Sequence, residues 1–174
     1  LGHYDIENLG HQKMRAHDAI RILKTWVNAW CTSSRFHEPV LFPCLFGCRN
    51  GEDRQSHYSM CPFLFSLQIC LCYDSELVSS DPLKRLGLIV PCKDSLYIVA
   101  CTFSAYHHMK FKHAPSLASS DHIIDGDSLS HNQQDACFES FADAFKAEAA
   151  EFRLSVRSFD LYSFRSFLVS SSRA

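Results

Sequence analysis

The stretch CLFGCRNGEDRQSHYSMC, residues 44–61, sets three cysteines and one histidine at the spacing C-x3-C-x8-H-x3-C. Three thiols and an imidazole are the Cys3His donor set of a structural zinc site. A tetrahedral ion needs two close ligand pairs joined by a loop long enough to fold back, and the spacing supplies both. Between Cys44 and Cys48, Gly47 can take the positive φ that a knuckle turn demands. The intervening Arg49-Asn50-Gly51-Glu52-Asp53 is the strongest turn signal in the chain, centred on Asn-Gly. Cys44, Cys48, His57 and Cys61 are therefore read as ligands of one structural Zn2+. Four protein ligands leave no open position for water, which argues against catalytic zinc. His37 pairs less well with the knuckle, because it lies seven residues before Cys44.

Outward from the knuckle, the pattern is helical. On the N-terminal side Ala16, Ala19, Ile20, Leu23, Trp26, Val27 and Trp30 recur at three- and four-residue steps, an amphipathic helix from Gln12 to near Cys31. His17-Asp18 reads as part of its polar face. On the other side Pro62 suits the first turn of a new helix, 62–73, with Cys61 at its N-terminus, where a thiolate is favoured. Asp81-Pro82 caps a two-turn helix. Leu96 to about Phe111 opens with β-branched and aromatic residues, but its length favours a buried helix over a strand. Serine- and aspartate-rich residues 114–129 read as a linker, and Ser130 or a neighbour starts a helix with Phe138, Phe141, Phe145 and Phe152 on one face. The expected organisation is all-α: a lead-in at 1–11, a zinc-knuckle helical domain at 12–113 with the knuckle between its first two main helices, the linker, and a C-terminal helical segment at 130–174.

Composition narrows the function classes. The chain has 174 residues, nine cysteines and a formal charge of −2, which argues against a generally basic nucleic-acid binder. Charge is uneven, however: residues 11–60 hold seven Lys/Arg against four acids. Arg35, Arg49 and Arg54 lie near the knuckle and are candidates for a phosphate backbone. Phe46 and Tyr58 either stack on bases or pack over the metal, and sequence weighs the two equally. An odd cysteine count with no signal-peptide pattern fits an intracellular protein, nuclear or cytoplasmic. No apolar run reaches the roughly 18–20 residues of a membrane span. There is no adjacent Asp-Asp, Gly-rich phosphate loop, G-x-S-x-G or H-E-x-x-H, so the expectation is a non-enzyme.

The run LKTWVNAW-CTSSRFHE, then PCLFGC, then HYSMCP before an apolar helix, resembles the zinc-binding region C-terminal to the reverse transcriptase of non-LTR retrotransposons. The resemblance covers about residues 15–72; the three-residue Cys44–Cys48 spacer departs from the two commoner in that family. By position it implies Cys44, Cys48, His57 and Cys61 as zinc ligands, and Trp26, Trp30, Thr32 and Arg35 as framework. It further implies an accessory module that helps an upstream reverse transcriptase domain hold template RNA or target DNA, without polymerase chemistry. The competing expectation is a zinc-stapled helical protein-interaction module, motivated by the modest charge and the phenylalanine-rich C-terminal helices.

Overall fold

The computed structural model describes residues 14–38, 41–49, 51–74, 78–89, 91–118 and 129–171. The expected lead-in, most of the expected linker and Asn50 lie outside these residues. Among these residues eight helices form: α1 (Ala16–Trp26), α2 (Ser33–Phe36), α3 (Gln55–Tyr58), α4 (Pro62–Leu71), α5 (Pro82–Arg85), α6 (Lys93–Ala118), α7 (His131–Glu151) and α8 (Leu161–Ser171). Among the described residues extended pairing is limited to two isolated antiparallel bridges, Pro43 with Glu52 and Cys72 with Val156. The fold is all-α, and the Cys3His residues lie in the chain between α1 and α4. No helix of the described residues is long and apolar enough to cross a membrane.

The helices start where side chains satisfy free backbone N–H groups. Ser130 and Gln133 form a reciprocal capping box on α7, and Asp81 caps α5 ahead of Pro82. Cys61 caps α4, its sulfur accepting from Leu64 N at 3.4 Å, and Pro62 fills the first turn. The Leu96–Phe111 segment is helical, not extended, and α6 runs on through Pro115 to Ala118, into residues expected to be linker. Leu117 explains the extra turn: it is 2% exposed in the main core, so packing holds a turn that proline weakens.

α6 packs along α7, α1 lies on α6, and α4 and α8 close over α7. The core is continuous from Trp30 through Phe46 and Tyr58 to Phe138, Phe141, Phe145 and Phe164. The C-terminal helices thus share one apolar interior with the knuckle, and the phenylalanine stripe of α7 is core.

α1 corrects two expectations. It ends at Trp26 because Asn28 takes a left-handed conformation (φ 56°), which sends Trp30 inward as part of a loop. The helix also docks by a different face. Its buried residues are Asp18, Ile22 and Thr25, while Ile20, Leu23 and Val27 of the expected core stripe are 50%, 37% and 70% exposed. Ion pairing makes this possible: Asp18 meets Arg15 at 2.8 Å and Arg21 at 3.5 Å, and Arg21 reaches Glu148 of α7. Asp18 is therefore a fully buried, paired carboxylate, not part of a solvated face.

Candidate metal centre

The knuckle is built on a short antiparallel ribbon. Cys44 N–H donates to Gly51 O at 2.6 Å and Asp53 N–H to Phe42 O at 2.9 Å, so the two arms of the loop lie side by side. Gly47, at φ 90°, turns the chain between the first two cysteines, and its N–H donates to Cys44 O at 2.9 Å. α3 then presents His57, and Cys61 follows at the head of α4. One ligand atom from each of Cys44, Cys48, His57 and Cys61 lies within 4.8 Å of the others.

Three observations fit this cluster to a metal ion. Cys61 Sγ is 3.8 Å from Cys44 Sγ and 3.6 Å from Cys48 Sγ. Bonds of about 2.3 Å to a tetrahedral ion give sulfur–sulfur edges of about 3.8 Å, whereas a disulfide needs about 2.05 Å. His57 Nε2 is buried with no hydrogen-bond partner, a costly state for an imidazole nitrogen unless it ligates something. At Gly51 an added Cβ would stand 2.5 Å from His57 Nε2 and 2.9 Å from Cys44 Cβ. Backbone approaches the ligands there more closely than any side chain permits.

Crowding makes the three thiols unequal. Burial drives Cys44 far above its ordinary range, while hydrogen bonds from Cys44 and Cys61 pull Cys48 down to about 3. Cys61 is lowered by its hydrogen bond with Cys44, but the bond with Cys48 and burial leave it raised, to about 12. The protein alone favours one anionic sulfur; a divalent cation held here would ionise the other two. Three soft sulfurs and an imidazole suit zinc, and all four positions of a tetrahedron are filled by protein.

Supporting residues that sequence reading passed over surround the loop. Asp53, fully buried, accepts from Ser33 N at 2.7 Å, from Tyr58 Oη at 2.8 Å and from Tyr106 Oη. Lys110, 3% exposed on α6, pairs with Asp53 at 2.7 Å and with Glu38 at 3.2 Å. This network pins the knuckle loop to α6 and to the Thr32–Ser33 link. Arg85 donates to Ser59 O and covers the Phe65 ring at 4.8 Å. No motif marks these partners, because apart from Tyr58, five residues on, each acts across 20 or more residues; only the Asp53 position beside the turn was conspicuous.

The residues expected to touch nucleic acid divide. Phe46 is fully buried against Tyr58, Phe138 and Phe141, and Tyr58 is 2% exposed beside Trp30 and Tyr106. Both are packing residues and correct the stacking role: the Leu45 N–H to Tyr58 Oη bond, at 3.3 Å, keeps the tyrosine facing inward. Arg35, Arg49 and Arg54 are exposed. Arg54 pairs with Glu52, and Arg35 lies over its neighbour Phe36 at 5.1 Å. The histidines near the end of α6 form no second metal cluster among the described residues. His107 Nε2 instead accepts from Cys31 N at 3.3 Å, and His113 bonds Ser140 at 2.7 Å.

No protein-family profile, curated protein or solved structure matches the chain.

Proposed function

We propose that this chain is a zinc-stapled accessory module of the kind that follows a retroelement reverse transcriptase, helping it hold template RNA or target DNA. The observation that carries this reading is the convergence of Cys44, Cys48, His57 and Cys61 around a buried His57 Nε2 that lacks any other partner. The zinc is structural: it ties the loop to α4 and leaves no site for substrate. The module carries no polymerase or other enzymatic chemistry of its own, since the buried carboxylates Asp18 and Asp53 are both committed to cations. Its partners are a nucleic-acid backbone and an upstream reverse transcriptase domain, in a nuclear or cytoplasmic setting.

A protein-interaction module is the second reading. The phenylalanines of α7 no longer favour it, because their rings are core, but the exposed Phe167 of α8 and the outward-facing Ile20, Leu23 and Val27 of α1 do.

Metal analysis of the purified chain tests the first reading, with Cys48→Ser as control. One zinc per chain, lost in the variant together with helical signal, is the expected result, followed by nucleic-acid binding that weakens steeply with salt. A folded protein without zinc overturns the metal centre. A zinc-loaded protein indifferent to RNA and DNA overturns the nucleic-acid role and leaves the interaction module.

A further inference from the structure

One face of the molecule joins exposed aromatic rings to cations that have no carboxylate partner among the described residues. Phe103, His107 and Phe111 fall at four-residue steps on α6 and so form one stripe. Their ring centroids are spaced 4.0 Å and then 6.2 Å. The stripe emerges along the helix: Phe103 is buried, His107 is half-buried and Phe111 is 68% exposed. α2 is tied alongside it by the Cys31–His107 hydrogen bond and by Glu38 on Lys110, and it carries Phe36, 51% exposed, under the Arg35 guanidinium.

The cations share this face. Lys24 of α1 stands 5.9 Å from the Phe103 ring centroid. Burial, together with the charges of Lys24, Arg35 and Lys110, lowers the His107 imidazole to about 4, so all three cations lie within electrostatic reach of one ring. Among the described residues Lys24 and Arg35 make no ion pair, and Glu38 is held on Lys110.

Unpaired cations interleaved with exposed rings suit a polyanion that carries flat, unstacked groups. An acidic peptide would use the cations and leave the rings unmatched; a duplex keeps its bases stacked. We propose that the Phe36–Phe111 face binds single-stranded nucleic acid, with Lys24 and Arg35 on phosphates and the two phenylalanines stacking on bases. This rests on the nucleic-acid reading above, and it moves the stacking role from the buried Phe46 and Tyr58 to rings that solvent reaches.

The test uses the zinc-loaded full chain and a fluorescent, mixed-sequence RNA of about 20 nucleotides, its DNA counterpart and the duplex, titrated by anisotropy across about 50–200 mM salt. Phe36→Ser with Phe111→Ser should weaken single-strand binding about tenfold or more and leave the salt slope intact. Lys24→Ala with Arg35→Ala should reduce that slope by about two. Zinc content and melting temperature of each variant verify that it is folded. If the parent binds and both double variants bind equally well, the face is wrong while the nucleic-acid reading stands. If the zinc-loaded parent binds neither strand, both fall. Binding to phosphatidylserine vesicles in place of oligonucleotides, lost in the same variants, overturns the proposal in favour of a membrane surface.

Discussion

At the scale of single residues, the metal centre depends on atoms that are missing as much as on ligands that are present. Gly51 leaves room for His57 and Cys44, so Gly51→Ala should weaken metal affinity by about 10- to 100-fold in a chelator competition, much as loss of an outer-shell partner does. Unchanged affinity would mean that the loop relaxes at no cost. Asp53 and Lys110 form the buried pair beneath the same loop. Lys110→Met strands the Asp53 carboxylate and should cost about 3–5 kcal/mol in urea unfolding, whereas Asp53→Asn leaves Lys110 its Glu38 partner and should cost less. The double variant should cost much less than their sum; strict additivity would show that the two side chains act independently. The four ligands were legible in sequence because a knuckle is local, with every contact inside 18 residues. Asp53–Lys110 was not, since 57 residues separate the partners and only the fold brings them together.

At the scale of elements, α6 carries a buried imidazole with a pH consequence. His107 sits at about 4 against an ordinary 6.5, chiefly through burial. Between those values the unfolded chain binds a proton that the native chain does not, so this contribution is whole above pH 6.5 and is lost as pH falls toward 4. Solvent screening of a partly exposed ring reduces it to about 1–3 kcal/mol. His107→Gln should therefore lose less stability than the parent between pH 7 and pH 5 in urea titrations, the metal contribution being common to both. Equal losses would place the acid sensitivity elsewhere. Element identity was largely readable from caps: Ser130, Asp81 and Pro62 all start helices where expected. Orientation was not. The apolar periodicity of α1 is real, but the Asp18–Arg21–Glu148 connection to α7 decides which face turns inward, and no periodicity records a partner more than a hundred residues away.

At the scale of the whole molecule, the knuckle and the C-terminal helices cannot be separated energetically. Gly47 passes so close to α7 that a Cβ there would meet the Gln134 side chain at 2.5 Å, and Phe46 is packed between Phe138 and Phe141. Chelation should lower the melting temperature of the entire chain in a single transition; a second transition indifferent to chelator would divide the protein into two units. The outward face of α1 has a consequence of another kind. Ile20, Leu23 and Val27 add little to the folding equilibrium, yet they confront every other molecule in solution with a sticky ridge. Ile20→Ser with Leu23→Ser should shift unfolding by no more than about 0.5 kcal/mol while raising the concentration at which light scattering sets in. A large loss of stability would mean the ridge is already covered in the native chain. In handling terms, the expected limit on storage is clumping rather than unfolding, because this helix turns a greasy edge to the solvent.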